Sequence, residues 1–416
     1  MMKRNLLRLS CLTLTLLLLT GCGSAGAAPK SLTADLNTHT PDLRPITEAQ
    51  AGALAAFALD LLRENWTGEN VLLSPLSVLS ALGMTANGAG GETLAQMESV
   101  LGLPAEELNA ALAAWAAGLP QEKDCRVDLA NSLWLRDDGS FTADPDFLQT
   151  VTDWYGAGVF PSKFDSEAVK DINGWVSGST HGMIPEIIRE IPDEAVLYLI
   201  NALALEAEWE RIYKDTQVHE NRIFTTEDGR EQSVTLMYSD EGFYLEDARA
   251  QGFLKPYKGG RWAFAALLPE EGMKLEDYAA ALTGKRLYEI LSGVQETLVE
   301  TAIPKFQCEF AAELSDSLKS LGMTDAFDWA TADFAAMGSS PNGPLYISRV
   351  LHKTYISVDE KGTKAGAATA VEMPAGGAGP DLRTPPRVYL DRPFLYILVD
   401  LETSLPVFIG AVTTME

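Results

Sequence analysis

Residues that often serve in catalysis or metal binding are few in this chain and stand apart. The four histidines are His39, His181, His219 and His352, and no two of them have the spacing of metal ligands. The sequence contains no H-E-x-x-H, G-x-x-x-x-G-K or G-x-S-x-G motif. A Ser-His-Asp arrangement needs no fixed order along the chain, but no motif indicates one. We therefore expect no enzyme activity, no metal and no cofactor.

A different chemistry, that of a protease substrate, is indicated by residues 359–388. Their sequence is DEKGTKAGAATAVEMPAGGAGPDLRTPPRV, rich in Ala, Gly, Thr and Pro and without a helical apolar period. Both flanking runs, LYISRVLHKTYISV and YLDRPFLYILVD, have the composition of strands. Such long connections inside a compact domain are uncommon and often functional. The alternative is an alanine-rich surface loop without a function.

The first part of this stretch alternates as a strand would. Successive side chains of a strand point to opposite faces. On one face the side chains would carry no charge: Thr363, Ala365, Ala367, Thr369, Val371 and Met373. On the other face they would include the two charged residues of the segment: Lys364, Gly366, Ala368, Ala370 and Glu372. The segment therefore has one face suited to a protein core and one suited to solvent. Gly362 is suited to a hinge, since glycine tolerates unusual backbone angles.

The N-terminus has the pattern of an export signal. Lys3, Arg4 and Arg8 precede an apolar run over 12–19 that is too short to span a membrane. LTGC at 19–22 resembles a bacterial lipobox, which predicts removal of residues 1–21 and lipidation of Cys22. The alternative is an ordinary cleaved signal with an incidental cysteine. Residues 22–45 are predicted to be a flexible tether, with folding expected to begin near Ile46.

Composition limits the class of protein. The 416 residues are 46% hydrophobic and carry a formal charge of −26 that is spread along the chain. This charge argues against nucleic-acid binding, which needs cationic faces, and suits a protein outside the cell. Cys125 and Cys308 are expected to be free, buried thiols. Helical patterns predominate in the first half and strand patterns in the last third, which predicts an α+β fold with large antiparallel sheets.

Several short motifs together give the chain a resemblance to a known family. In order they are NVLLSPLSV from Asn70, NGWVSGSTHGMI from Asn173, INALALEAEWE around Asn201, IPKF at 303–306, LGMTDAF at 321–327, ADF at 332–334, HKTYISVDEKGTKAGAATA from His352 and DRPFLYILVDLETSLPVFIGAV at the end. From about residue 46 to 414 the chain resembles a serpin, a protease inhibitor that acts as a suicide substrate. The resemblance implies a single domain over 46–416 with three β-sheets and eight or nine helices.

The resemblance also implies a role for residues 359–388. An exposed reactive-centre loop over about 360–388 would be cut by a target protease and would then insert as a new strand in the largest sheet. The hinge positions implied are Glu360, Gly362, Thr363, Ala365, Ala367, Ala368 and Thr369. A buried polar cluster that governs the opening of the sheet, the shutter, would consist of Ser74, Ser77, Asn201 and His352. Lys364 and Gly366 depart from the residues common in the family.

The scissile bond is harder to place because the loop is longer than is common in the family. The family's spacing, counted from Glu360, leads to Gly376–Gly377, whose small neighbours favour an elastase-like or subtilisin-like serine protease. Met373, Leu382 and Arg383 are the alternatives, and they favour proteases with other specificity pockets.

The expected function is therefore inhibition of serine proteases, with cysteine proteases as a further class of target. The protein is expected to be a monomer. The expected location is the outer face of a bacterial cell membrane, to which lipid on Cys22 would anchor the protein. The alternative function is a non-inhibitory serpin that acts as a binding or chaperone-like scaffold. The small hinge residues favour inhibition.

Overall fold

The computed structural model describes residues 30–122, 124–137, 141–193, 195–341, 343–363 and 385–415. Within these ranges the helices are α1 (Glu48–Asn65), α2 (Pro75–Ala86), α3 (Gly91–Leu101), α4 (Ala105–Ala116), α5 (Pro145–Tyr155), α6 (Ser166–Ser179), α7 (Leu275–Ala281), α8 (Gly284–Ser292) and α9 (Ser315–Ser320). The strands are β1 (Val71–Leu73), β2 (Gln121–Glu122), β3 (Cys125–Arg136), β4 (Thr142–Ala143), β5 (Gly158–Ser162), β6 (Leu197–Glu208), β7 (Val218–Thr225), β8 (Glu231–Asp247), β9 (Ala250–Pro256), β10 (Trp262–Pro269), β11 (Gln295–Pro304), β12 (Phe306–Glu313), β13 (Gly338–Ser339), β14 (Ile347–Val358), β15 (Gly362–Thr363), β16 (Arg387–Tyr389), β17 (Phe394–Asp400) and β18 (Leu405–Val412).

The strands form three sheets in the described part of the chain. A nine-stranded sheet has the order β1-β18-β17-β10-β9-β8-β11-β16, with β7 also paired to β8. A seven-stranded sheet has the order β12-β14-β15-β6-β3-β2, with β5 paired to β3. The third sheet is the pair β4 and β13. With the helices above, this confirms the α+β fold of three sheets and nine helices.

Local signals explain where the helices begin and end. Thr47 and Gln50 form a capping box at the start of α1. Ser74 caps α2, and Pro75 takes the first helical position, where the absent N–H has no cost. The helical pattern over 274–293 forms two helices, because the chain becomes extended at Leu282 and Thr283 caps α8.

Helix α2 lies at the centre of the molecule. Every one of its residues is buried, and it contacts both β18 of the nine-stranded sheet and β6 of the seven-stranded sheet. A helix that is apolar all round is stable only when it is covered on all sides. The main core therefore lies between the two large sheets and around α2.

The segment before α1 differs from the expectation that folding begins near Ile46. Leu32 donates its N–H to the carbonyl of Val159 (2.8 Å), and the Thr33 hydroxyl donates to the carbonyl of Ala157 (2.9 Å). His39 lies 3.3 Å from the carboxylate of Asp153 in α5. The short polar residues that suggested a tether here hydrogen-bond to the backbone beside β5. Residues 1–29, which include Cys22 and the expected signal, lie outside the described residues.

Two further expectations concern cysteines and membranes. Cys125 and Cys308 are free and buried, as predicted, and burial raises the pKa of Cys125 to about 12. Among the described residues, no helix has both the length and the apolar character needed to cross a bilayer.

Candidate functional site

The described part of the hinge begins with a tight turn at residues 359–363, which we call the hinge turn. The Asp359 carboxylate accepts the N–H groups of Lys361 (2.8 Å) and Gly362 (3.2 Å), and Asp359 donates its own N–H to the Gly362 carbonyl (3.0 Å). Aspartate commonly closes turns in this way. A Cβ at position 362 would lie 2.0 Å from the carbonyl oxygen of Ala207, so only glycine fits.

Thr363 is the last residue of the hinge turn and lies between two strands of the seven-stranded sheet. It pairs with Val358 of β14 on one side and with Ala207 of β6 on the other. Its side chain is 1% exposed, and its hydroxyl lies 2.5 Å from that of Tyr257. This is the inward direction that the alternating pattern predicts for Thr363.

Further contacts hold the hinge turn from residues that follow β6 and β11. Trp209 donates its backbone N–H to the Lys361 carbonyl (2.9 Å) and its indole N–H to the Asp359 carbonyl (2.8 Å). Tyr213 donates its N–H to the Glu360 carbonyl (2.9 Å). Lys305 pairs with the Glu360 carboxylate at 2.5 Å, and this hydrogen bond lowers the pKa of Glu360.

Beyond this turn, β14 and β6 come together and pair directly. They are parallel neighbours from Ile347 and Leu197 to Lys353 and Ala202. Where β14 and β6 pair directly, Val350 lies opposite Leu199. Where Thr363 lies between them, Val358 and Ala207 are its two neighbours. In both places the β14 residue number exceeds the β6 residue number by 151. The two strands therefore keep one register whether they are in contact or one strand apart. The seven-stranded sheet has an open half around Thr363 and a closed half above it.

The four polar residues predicted as the shutter lie at the start of the closed half. His352 pairs with Asn201 across the two strands, and Ser74 donates its backbone N–H to His352 Nε2 (3.1 Å). The Ser74 hydroxyl accepts the N–H of Ser77 (3.4 Å). All four are buried, with at most 2% of each residue exposed. The structure brings the predicted set together.

The His352 side chain is neutral in this environment. Burial lowers its pKa to about 4. Because Nε2 accepts a hydrogen bond, the neutral ring must carry its proton on Nδ1. In the described residues, His352 Nδ1, Asn201 Oδ1 and Ser77 Oγ have no hydrogen-bond partner. The shutter therefore contains one unused donor and one unused acceptor on residues that face each other.

Sequence reasoning missed two members of this region. The Asn201 amide donates to Asn131 Oδ1 on β3, and the Thr354 hydroxyl donates to the Leu72 carbonyl (2.8 Å). Both Asn131 and Thr354 are buried. Polar residues inside the strand patterns of β3 and β14 were the available signal, but their partners become evident only once the strands are paired.

The outer face of the closed half is not open to solvent. Ile172 and Val176 of α6 belong to a second buried cluster with Trp134, Tyr198 and Ile200 of the sheet. The expectation that one face of an inserted loop would meet solvent is therefore wrong for the closed half. It holds better in the open half, where Glu206 is 37% exposed at its side chain.

Some predicted site residues cannot be placed. The remaining hinge residues and the candidate cleavage positions lie outside the described residues: Ala365, Ala367, Ala368, Thr369, Met373, Gly376, Gly377, Leu382 and Arg383. The chain is described again from Pro385 and pairs through Arg387 of β16 with Glu300 of β11. In the described ranges no three His, Cys, Asp or Glu side chains are grouped so that they could hold a metal ion.

Comparison with known proteins gives a consistent result. The sequence profile of the family described as "Serpin (serine protease inhibitor)" matches residues 52–415. An uncharacterized serpin-like protein of Thermococcus kodakarensis is 30% identical over 86% of this chain and 84% of its own length. Leukocyte elastase inhibitor A of Rattus norvegicus is 30% identical over 88% of this chain and 99% of its own. The crystal structure of tengpin, a thermophilic serpin, in the native state superposes with a TM-score of 0.87 at 42% identity, covering 93% of this chain and all of that one.

Proposed function

Because the chain belongs to the serpin family, whose members are typically protease inhibitors rather than enzymes, we propose that it traps a serine protease as a covalent acyl complex. The observation that carries the proposal is the position of Thr363, which already occupies the first place of a new strand between β14 and β6. After cleavage, the rest of the loop would extend this strand into the closed half.

The register of the sheet supports insertion. Continuing the pairing of Thr363 with Ala207 by residue number sets the small and apolar loop residues beside inward-facing positions of β6. The pairs would be Ala365–Leu205, Ala367–Leu203, Thr369–Asn201, Val371–Leu199 and Met373–Leu197. The β6 members of these pairs are all buried. Only the spacing of β14 and β6 would change, by about 4.8 Å, the separation of neighbouring strands.

Thr369 provides a second, more specific argument. Continued on both sides, the register sets Thr369 between Asn201 and His352. A hydroxyl group both donates and accepts hydrogen bonds. It would accept the unused proton of His352 Nδ1 and donate to the unused Asn201 Oδ1. Insertion would thus satisfy two polar atoms that the sheet leaves without partners.

Lys364, which departs from the family pattern, also fits this register. Its position would lie beside Glu206, whose carboxylate is 3.4 Å from the Arg126 guanidinium. A lysine there meets an opposite charge, whereas an acidic residue would meet a like charge.

The energy available is sufficient to drive the change. Insertion would exchange the direct hydrogen bonds between β14 and β6 for a ladder on each side of the new strand, a net gain of a few hydrogen bonds at roughly 1 kcal/mol each. Burial of Val371 and Met373 would add about 1.5–3 kcal/mol each. The total is on the order of 10 kcal/mol, so the uncleaved protein is kinetically trapped.

The test is incubation with elastase-like, subtilisin-like, trypsin-like and chymotrypsin-like serine proteases and with papain. We expect a complex that survives SDS with an elastase-like or subtilisin-like enzyme, and none when its catalytic serine is blocked beforehand. Mass spectrometry of the released C-terminal peptide should show a start at Gly377. A start at Thr384 would assign the bond to Arg383 and a trypsin-like target. Cleavage without any stable complex would favour the scaffold function.

We also propose that the protein is anchored by lipid on Cys22 to the outer face of a bacterial membrane. The support is the LTGC sequence after a short apolar run. Mass analysis of the N-terminal peptide from native membranes should show a diacylglyceryl-modified Cys22. A Cys22→Ala variant should leave the membrane fraction, and an unmodified N-terminus would contradict the proposal.

A further inference from the structure

A buried ion pair lies below the hinge turn. Lys255 of β9 and Glu241 of β8 are each 1% exposed, with Nζ 2.7 Å from Oε1. Ser239 donates its hydroxyl to the same carboxylate oxygen (2.6 Å), and Arg211 donates to the other one (2.8 Å). Burying two charges costs several kcal/mol of desolvation, which the attraction between them often only just offsets. Stability alone is therefore a weak reason for this pair.

The Lys255 ammonium also lies against two aromatic rings. Its Nζ is 4.3 Å from the ring centre of Tyr213 and 5.4 Å from that of Trp209. A cation is attracted to the face of an aromatic ring, and more strongly when it is desolvated. Tyr213 and Trp209 are the two residues whose backbone N–H groups hold the carbonyls of Glu360 and Lys361. The ion pair thus contacts both residues whose backbone N–H groups bind the hinge turn.

The same carboxylate is tied to the other end of the reactive loop. Glu241 lies opposite Val299 of β11, and Ser239 lies opposite Thr301, whose hydroxyl is 3.0 Å from that of Ser239. Strand β11 also pairs with β16, where the chain resumes after the loop. The cluster therefore sits between the strand that anchors the loop's C-terminal end and the residues that hold its N-terminal end.

We propose that the Lys255–Glu241 pair positions Trp209 and Tyr213 so that the hinge turn stays fixed relative to β11 and β16 until the loop is cut. Its effect on inhibition rests on the proposed function, but its effect on the turn is measurable without it. The pair is a positioning device, because it acts on the hinge turn through the rings of Trp209 and Tyr213.

The test replaces the pair by apolar residues of similar size, Lys255→Met with Glu241→Leu. Such replacements of buried ion pairs often preserve folding. Hydrogen exchange of the peptide that contains Trp209 and Tyr213 should become at least 10-fold faster, while the unfolding midpoint stays within a few degrees of the parent's. The matched control is Arg261→Met with Asp400→Asn, which removes another ion pair with a fully buried carboxylate (2.9 Å), held between the ends of β10 and β17. The control should leave this exchange unchanged.

Equal exchange in the folded double variant and the parent would overturn the proposal. If the double variant does not fold, Tyr213→Leu removes the nearer ring and keeps the pair. The backbone N–H at position 213 should then exchange faster than in the parent, and unchanged exchange there overturns the proposal equally. In a parent that forms covalent complexes, the double variant should also lose inhibitory activity on storage at least threefold faster. A parent that forms none would contradict the proposed function and leave the exchange test valid.

Discussion

The two large sheets differ in how completely they bury their central strands and in what those strands bury. In the nine-stranded sheet, β10, β17 and β18 are buried along their whole length, and the one charged residue among them, Asp400, is fully paired with Arg261. In the seven-stranded sheet, β3, β6 and β14 meet at Asn131, Asn201 and His352, and two of these keep an atom that has no partner among the described residues. An unsatisfied buried polar atom costs about 1–3 kcal/mol. Under the proposed function, the first sheet stays closed and the second gains stability when a new strand enters it.

The largest expected effect is that of cutting the loop. Cleavage between Ala375 and Ala378 should raise the unfolding midpoint by roughly 20 °C, because insertion releases on the order of 10 kcal/mol. Calorimetry before and after a single cut measures it. Phe264→Ala, in the sheet that stays closed, should lower stability by about 3–5 kcal/mol in both forms. An unchanged midpoint after a clean cut would mean that the two sheets do not differ in this way.

The next effect concerns the first inserted residue. Thr363→Arg puts a charge into a position that is 1% exposed, at a cost of several kcal/mol. The variant should be cut and released as a substrate, with a much higher ratio of inhibitor consumed to protease trapped. Thr363→Val is the matched control, since it loses only the hydrogen bond to Tyr257 and should still form complexes. Parent-like stoichiometry in Thr363→Arg would show that the buried position of Thr363 is not required for loop insertion.

A smaller effect should separate the cleaved from the uncleaved sheet. Thr369→Val removes the hydroxyl that we place between Asn201 and His352, so it should lower the stability of the cleaved form by about 1–3 kcal/mol. The uncleaved form should change by less than 0.5 kcal/mol, the usual range for a substitution outside such contacts. Denaturant unfolding of both forms gives the comparison. Equal losses in the two forms would contradict the register proposed for the inserted loop.

The smallest effect is a dependence on pH. The pKa of His352 is lowered by burial to about 4, below that of an unfolded chain, so the folded state binds fewer protons. Its contribution to stability is present above the unfolded pKa and is lost as the pH falls toward 4. Between pH 7 and 5.5 the parent should lose about 1 kcal/mol more stability than His352→Gln. The same loss in both proteins would show that His352 is not the titrating group.

The inward direction of Thr363 could be predicted because its signal is local: alternation along the segment gives the face, and glycine at 362 gives the bend. The turn that Asp359 closes was not predicted, although aspartate commonly closes turns. The caps at Thr47 and Ser74 are local signals of the same kind. Grouping the shutter residues, by contrast, required the resemblance to a family, since no local signal joins them.

What the sequence determined by itself was the type of the longer elements, the two faces of the segment that begins at Thr363, and the catalytic and metal-binding motifs that the chain lacks. Those properties depend on periodicity and on side chains a few residues apart. Tertiary structure alone decided that Ser74 meets His352, 278 positions later, that Lys255 meets Glu241, and that Leu32 is held by β5. It also decided that α6 covers the closed half of the sheet. Such contacts arise from the order and register in which distant strands pair. Backbone hydrogen bonds are the same for every sequence with a strand pattern, so the local pattern does not determine that order.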